Sequence, residues 1–403
     1  MIRPAADWEL ARFLRDASLS ETPVEILGGG SKRNGGRPSQ TAAIVLTHVL
    51  RGIRLYEPSE MVMSAQSGTL LVDIEHELDQ QGQMLAFEPL DLGPVLGAEA
   101  GLATIGGLVS TDISGSRRIA VGAARDHVLG VRAVTGGGQV FQSGGRVLKN
   151  VTGYDLVRIL TGSWGTLGAL TEVTFKVLPR PEETATLVIV GLASDIAVEA
   201  LCAAMETPYD VTGALHLEAN LVANLRDEQF RSAGNALTAI RLEGFASFLA
   251  RRIERLQEAL KPYGEVHVAD SDVSKGFWAE LRELSVLAHS SKPLWRISTR
   301  PNKGAEVVAG IQRYMQADAF FDWSGGLIWL TVPESADAGS TDIRRVLATH
   351  GGHATLIRAD ASVRAAIEVF QPMDHGSERI TTGLKQVFDP AGILNPGRMY
   401  AHI

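Results

Sequence analysis

The sequence predicts an α+β fold divided into two main domains. Short apolar runs alternate with amphipathic helical segments, and glycine is crowded into the first 170 residues. After Pro181 the elements become longer and glycines fewer. The 403 residues, 45% of them hydrophobic, provide enough apolar surface for two domains of ordinary size.

The first predicted domain, residues 1–180, consists of helices and short strands joined by glycine-rich turns. DWELARFLRDA and TLLVDIEHELDQQG carry apolar residues at helical spacing, and the second helix is expected to end by Gly82. VEIL, AAIVL, HVLGVRAV, QVFQSGG and LTEVTFKVLPRP are typical of strands. The glycines between them indicate tight turns and close backbone approaches.

The second predicted domain, residues 181–375, is a smaller α/β unit. FASFLARRIERLQEALKPYG predicts an amphipathic helix whose apolar stripe includes Phe245 and Phe248. PLWRISTRP and GGLIWLTVP are strand-like. Residues 376–403, with TTGLKQVFDPAGILNPGRMY, predict a helix and a tail that returns to complete the first domain.

Charge and composition exclude several classes of partner and site. The net charge is -8 without a basic stripe, which argues against nucleic acid. Charged residues interrupt the first apolar segment, and no run of eighteen apolar residues occurs, so we expect a cytoplasmic chain. Cys202 is the single cysteine, so the chain can form neither an internal disulfide nor its own iron-sulfur cluster. His350 and His353 lack a third ligand nearby in sequence, and no metal site is predicted.

The segment VEILGGGSKRNGG raises the question of a phosphate-binding loop. Three glycines, Gly28 to Gly30, follow a predicted strand, so consecutive backbone N–H groups can converge on an anion. Ser31 adds a hydroxyl donor, and Lys32 or Arg33 adds positive charge. The spacing matches neither the Walker pattern nor G-x-G-x-x-G. A simple turn remains the alternative.

A second glycine and hydroxyl cluster lies in ATIGGLVSTDISGSRR. It contains Thr104, Gly106, Gly107, Ser110, Thr111, Ser114 and Gly115. If both clusters face one ligand, that ligand is long and polar at its middle, like the pyrophosphate of a dinucleotide; two unrelated turns are the alternative.

Arg296 stands between Trp295 and Ile297 in a predicted strand. An arginine in this setting either binds a ligand carboxylate or closes an ion pair, and the sequence leaves both open.

Several of these motifs, taken in order, resemble flavoproteins of the vanillyl-alcohol-oxidase type, which share the FAD-binding domain of p-cresol methylhydroxylase (PCMH). They are GGGS after a strand, TIGG with SGSRR, ARDHVLGVRAVTGGG, LKNVTGYDLVRILTGSWGTLG and FDPAGILNPGR. The resemblance implies a PCMH-type domain of two α+β subdomains with a cap domain. Members with covalent flavin carry histidine directly after the glycines, so Ser31 implies noncovalent FAD.

The resemblance carries FAD-binding roles onto individual residues of this chain. These are Gly28, Gly29, Gly30, Ser31, Lys32, Thr104, Ile105, Gly106, Gly107, Thr111, Ser114, Gly115, Arg125, Asp126, Asn150, Gly153, Asp155 and Asn395. Arg296 is the candidate for holding a substrate carboxylate.

Within this family, SGSRRIAVGAARDHVLGVR, LWRIS and GGHATLIRA are most similar to the flavoprotein E subunits of glycolate oxidase complexes. That likeness implies oxidation of glycolate, with D-lactate as a further substrate. It also implies a larger flavoprotein D subunit, an iron-sulfur F subunit and membrane association only through them. The histidine-rich H-x-G-D-G-N-L-H and the E-H-G-I-G of related dehydrogenases are absent. Two alternatives therefore stay open: a structural FAD-binding subunit, and a freestanding D-2-hydroxyacid dehydrogenase.

Overall fold

The protein divides into two compact units. The structure, a computed structural model, describes residues 1–146 and 154–403. Unit 1 comprises Met1–Ser114, Gly122–Arg180 and Glu368–Ile403, and unit 2 comprises Gly115–Val121 and Pro181–Ile367.

These units differ from the predicted domains at two places, and local contacts explain both. In unit 2, Arg117 Nη2 lies 2.7 Å from Glu243 Oε1, which ties the segment after Ser114 to this unit. In unit 1, the ring of Phe370 packs edge-on against Trp164 at 5.3 Å. The return to unit 1 therefore begins at Glu368, earlier than the predicted residue 376.

The helices and strands follow the sequence pattern closely. The helices are α1 (Asp7–Leu19), α2 (Leu71–Asp79), α3 (Ile105–Thr111), α4 (Arg118–Val121), α5 (Ala124–His127), α6 (Leu156–Leu160), α7 (Ser194–Met205), α8 (Ala219–Val222), α9 (Glu228–Arg231), α10 (Ala246–Leu260), α11 (Ser271–Arg282), α12 (Ser285–Ala288), α13 (Gly304–Gln312), α14 (Ser340–His350), α15 (Ala361–Ala366) and α16 (His375–Phe388). The strands are β1 (Val24–Leu27), β2 (Ala43–Leu46), β3 (Ile53–Glu57), β4 (Val62–Gln66), β5 (Gln83–Met84), β6 (Val128–Val134), β7 (Val140–Gly144), β8 (Ala169–Lys176), β9 (Leu178–Pro179), β10 (Glu183–Val190), β11 (Val211–Leu217), β12 (Leu237–Gly244), β13 (His267–Ala269), β14 (Leu294–Ser298), β15 (Asp318–Asp322), β16 (Leu327–Thr331) and β17 (His353–Arg358).

Unit 1 contains two α+β layers. One is a parallel pair, β1 and β2, packed with α1. The other is an antiparallel sheet in the order β3-β4-β8-β6-β7, whose core includes Met63, Leu108 and Phe175. The C-terminal tail joins the first layer, because Val24 N donates to Ile393 O at 2.7 Å. The tail therefore lies beside the strand that leads into the glycine loop.

Unit 2 is built on an eight-stranded sheet in the order β13-β10-β12-β11-β15-β16-β14-β17. The strand pairs described in this sheet are antiparallel, so the unit is α+β rather than the predicted α/β. The predicted apolar stripe of α10 was also partly wrong. Phe245 and Phe248 lie at the start of the helix and are 64% and 68% exposed, while Leu249, Leu256 and Leu260 are buried.

Across residues 1–146 and 154–403, no helix is long and apolar enough to cross a bilayer. In the same residues, no three His, Cys, Asp or Glu side chains come together as a metal-binding group.

One buried histidine makes unit 2 sensitive to acid. His216 on β11 is 1% exposed, and burial lowers its pKa to about 4. Its Nδ1 lies 2.9 Å from Thr238 Oγ1, and its Nε2 has no hydrogen-bond partner among the described residues. Folding therefore requires the neutral ring.

Lowering the pH is therefore expected to destabilise unit 2. Because the folded pKa lies below the unfolded value of about 6.5, the unfolded chain takes up the proton first. The stabilisation is complete above that value and is lost as the pH falls toward 4. Between pH 7.5 and 5 the loss is about 2 kcal/mol, measurable by urea unfolding at each pH.

Replacing the histidine provides the control for this pH dependence. His216→Gln should remove that part of the slope, whereas His267→Gln, at an exposed position of β13, should retain it. An unchanged slope in His216→Gln would assign the acid sensitivity to other groups.

Candidate functional site

Unit 1 contains a cavity of about 690 Å³, counting the space at its open mouth. Segments distant in sequence form its wall: residues 26–33, five residues of the 104–111 segment, Trp164 with Gly165, and the tail residues Asn395 and Arg398. The two glycine clusters of the sequence thus face one cavity.

The glycine loop lies directly against the second cluster. Where β1 ends, a Cβ on Gly28 would lie 2.4 Å from Thr104 Oγ1, and a Cβ on Gly29 would lie 1.8 Å from Leu102 O. Gly30 has φ +81, a left-handed conformation that glycine adopts without strain. Only residues without a side chain allow this close approach of the two backbones.

The loop offers hydrogen-bond donors to a ligand. Among the described residues, the backbone N–H groups of Gly29, Gly30 and Ser31 donate to no protein acceptor. Consecutive free amides of this kind form an anion-binding concavity. Opposite them, Thr104 caps α3, with its Oγ1 accepting from Gly107 N at 3.2 Å.

A buried hydroxyl in the cavity wall also lacks a partner. Ser67 is 1% exposed, and its Oγ has no hydrogen-bond partner among the described residues. Gly106 packs against it, since a Cβ there would lie 2.7 Å from Ser67 Cβ. Because buried polar atoms are nearly always paired, this hydroxyl fits a polar ligand in the cavity.

The two cations of the loop have different surroundings. Arg33 Nη2 lies 2.8 Å from Glu25 Oε2, so Arg33 is engaged in an ion pair of the fold. Lys32 lines the cavity, and burial lowers its pKa to about 8, partly opposed by the charge of Asp91. Lys32 is therefore the lysine that can offset ligand charge at this loop.

Asn395 joins the walls of the cavity. Its Oδ1 accepts from Ile26 N at 2.8 Å, and its Nδ2 donates to Trp164 O at 2.8 Å. The side chain thus connects β1 to the loop that contains Trp164, called here the Trp164 loop. A direct contact of Asn395 with a ligand stays a prediction.

Other predicted FAD contacts do not line this cavity. Ile105 is part of the core, and Ser114 Oγ accepts from Ala124 N at 3.1 Å. Arg125 Nε donates to Asp112 Oδ2 at 2.7 Å, and the Asp126 carboxylate accepts from Ala123 N at 2.9 Å.

Gly115 and Asp155 likewise have other surroundings. Gly115 belongs to unit 2, and the exposed Asp155 caps α6. Asn150 and Gly153 lie outside the described residues. For all of these positions, contact with FAD stays a prediction.

Several wall residues were missed by sequence reasoning. They are Thr47, Ser67, Trp164, Gly165 and Arg398. Two signals could have found some of them: GSWG places a tryptophan between glycines, and NPGR places an arginine in the tail. Trp164 has φ +53, an uncommon conformation for a bulky residue that marks the position as special.

The cavity residues fit a dinucleotide. The glycine cradle, the amides without acceptors, the Ser67 hydroxyl and the lysine provide what a pyrophosphate and its attached sugars require. Arg296, the candidate for a carboxylate, lies on β14 in unit 2, where its guanidinium carbon is 5.2 Å from the centre of the Trp323 ring.

Comparison with known proteins identifies the ligand of unit 1. Residues 1–144 match the family described as FAD binding domain. The fold agrees with the crystal structure of p-cresol methylhydroxylase with substrate bound, at a TM-score of 0.71 and 13% identity, covering 100% of this chain and 88% of that one. The predicted PCMH-type fold and the FAD cofactor are thereby confirmed.

Two relatives match over nearly the whole chain. The glycolate oxidase subunit GlcD of Bacillus subtilis (strain 168) is 25% identical over 437 residues, covering 100% of this chain and 88% of the relative. The glycolate oxidase subunit GlcE of Escherichia coli (strain K12) is 36% identical over 400 residues, covering 98% of this chain and 97% of the relative. This chain therefore belongs to the family of the glycolate oxidase subunit GlcE, FAD-linked oxidoreductases with a PCMH-type fold.

Proposed function

We propose that this chain is the FAD-binding E-type subunit of a glycolate dehydrogenase complex, which oxidises glycolate, and D-lactate as a second substrate, to the 2-oxo acid. The observation that carries the proposal is the full-length match to a glycolate oxidase subunit, found together with a cavity suited to FAD. In this proposal unit 1 binds FAD and unit 2 is the cap or substrate-type domain.

The electron balance supports partner subunits. Oxidising glycolate to glyoxylate releases two electrons and two protons, and the chemistry that FAD supplies is acceptance of a hydride from the carbon bearing the hydroxyl. Turnover therefore requires a further acceptor for these two electrons. Cys202 is the single cysteine, so this chain cannot ligate an iron-sulfur cluster alone. A D-type flavoprotein and an F-type iron-sulfur subunit are the proposed route, in the cytoplasm and at the membrane only through those partners.

Within unit 1, the cavity supports proposed roles for individual residues. The amides of Gly29 to Ser31 and the Lys32 ammonium would hold the pyrophosphate, and the Ser67 hydroxyl would bind a polar group of the cofactor. Asn395 positions β1 relative to the Trp164 loop.

Anaerobic mixing of the FAD-loaded chain with glycolate tests the proposal. The subunit is redox-active if glycolate bleaches the flavin absorbance of the isolated chain. It is also redox-active if glycolate bleaches the absorbance of its flavin only within the complex. An oxidised flavin even in the turning-over complex would favour the structural alternative. Turnover of D-lactate by the isolated chain with a dye acceptor, at the rate of the complex, would favour the freestanding dehydrogenase.

The FAD is expected to be noncovalent. Ser31 stands directly after the glycines and lacks the ring nitrogen that bonds covalently to flavin in some members of the family. Acid precipitation of the holoprotein should therefore leave the flavin in the supernatant, as measured by absorbance. Flavin retained in the washed pellet would contradict the prediction.

A further inference from the structure

A strained tryptophan lies in unit 2 at the turn between β15 and β16. Trp323 and Ser324 have φ +51 and +60, although neither is glycine. A left-handed conformation is unfavourable for a bulky side chain and persists only where surrounding contacts impose it. Such positions are concentrated at functional sites.

Contacts within unit 2 impose the conformation. The indole Nε1 of Trp323 donates to Gly115 O at 3.0 Å, and Asp322 Oδ1 accepts from Trp323 N at 2.7 Å. Ser116 Oγ donates to the other carboxylate oxygen of Asp322 at 2.7 Å. Two of these hydrogen bonds hold the segment that begins at Gly115 to this turn, and the third lies within the turn.

Two guanidinium groups lie over the same indole ring. The Cζ atom of Arg118, in α4, is 4.5 Å from the ring centre, and that of Arg296, on β14, is 5.2 Å from it. Each contact is favourable because a cation is attracted to an aromatic face. Together they place two guanidinium groups around one aromatic side chain.

A histidine lies in the field of both arginines. His353 on β17 pairs with Ser298 across the sheet, and Arg296 is two positions earlier on that neighbouring strand, facing the same side. Partial burial lowers the pKa of His353, and the charges of Arg296 and then Arg118 lower it further. All three effects favour the neutral ring, which can accept a hydrogen bond.

We propose that Arg118, Arg296 and His353 form a binding site for a small 2-hydroxy monocarboxylate, with the Trp323 ring as its platform. The planar guanidinium groups match the two oxygens of a carboxylate. The neutral imidazole is suited to accept a hydrogen bond from the hydroxyl group. The identity of the ligand rests on the proposed function. Arg118 and His353 are added here to Arg296, the candidate that the sequence indicated.

Binding of oxamate, an unreactive monocarboxylate, tests the site in the full FAD-loaded chain. Calorimetry should detect one binding event that inorganic phosphate does not compete with. Histidine NMR should show that oxamate raises the pKa of His353, because the bound anion offsets the field of the two arginines. Arg118→Met and Arg296→Met should each weaken oxamate affinity at least tenfold and reduce the His353 shift.

Matched variants separate binding from loss of structure. Arg118→Lys retains the charge and should restore part of the affinity, and Arg313→Met, an exposed arginine on the same unit, should leave it unchanged. Unchanged oxamate affinity in both methionine variants, an unmoved His353 pKa, or equal competition by phosphate would overturn the site.

The test also distinguishes this inference from the proposed function. Oxamate binding that depends on the arginines, without any flavin reduction by glycolate, would retain the site and remove the redox proposal. Normal glycolate oxidation with an unchanged KM in Arg118→Met would retain the redox proposal and remove the site.

Discussion

Replacing Gly29 with alanine is expected to weaken FAD binding by at least about tenfold, or about 1.4 kcal/mol. The added Cβ would lie 1.8 Å from Leu102 O, a backbone atom that cannot rotate away as a side chain would. The glycine loop and the 102–107 segment must then separate. That separation disrupts the cavity wall at the point where the amides without acceptors lie. Titration of the apoprotein with FAD, followed by flavin fluorescence, measures the effect.

Two other glycines provide comparisons for the expected loss of FAD affinity. Gly30→Ala introduces no contact within 4 Å, but its φ of +81 is unfavourable for alanine, so an intermediate loss is expected. Gly383→Ala, on α16, meets nothing within 4 Å and should leave FAD affinity unchanged. Circular dichroism of each apoprotein separates a lost site from a lost fold. Equal FAD affinity in Gly29→Ala and Gly383→Ala would show that the loop does not bind the cofactor.

Local patterns in the sequence predicted much of unit 1. The alternation of apolar residues and the glycine turns yield β1, β2, α2 and β8 at or near their observed bounds. The glycine loop was recognisable because it follows a strand and repeats the chemistry of the TIGG segment. These features depend on neighbours within a few residues, which a sequence displays directly.

Contacts between distant residues could not be predicted in the same way. Ser67 lies in the cavity wall, where it packs against Gly106. Arg398 reaches the glycine loop, where its Nη1 donates to Arg33 O at 3.0 Å. The predicted apolar stripe of α10 was wrong at Phe245. Helical spacing indicates which face of a helix is apolar, but not how far along the helix other elements pack against that face. Antiparallel pairing in unit 2 likewise depends on connections that local pattern does not encode.

A buried lysine on α16 connects two segments of the FAD cavity. Lys385 Nζ donates to Thr166 O and to Leu394 O, each at 2.9 Å, and lies 2.8 Å from Asp389 Oδ2. Lys385 is 8% exposed and Asp389 is 1% exposed. Asp389 in turn accepts from Leu394 N at 2.8 Å. The pair therefore fixes the Thr166 loop and the C-terminal tail to the same helix.

Lys385→Met is expected to lower the free energy of unfolding by about 3 to 5 kcal/mol, because it leaves a buried carboxylate without its cation. FAD affinity should fall as well, since Thr166 and Leu394 adjoin the wall residues Gly165 and Asn395. Urea unfolding of the apoprotein and FAD titration measure the two effects separately. Arg379→Met, an exposed change on the same helix, is the control and should alter neither. A large loss of stability with unchanged FAD affinity would show that the pair supports the fold without shaping the cavity.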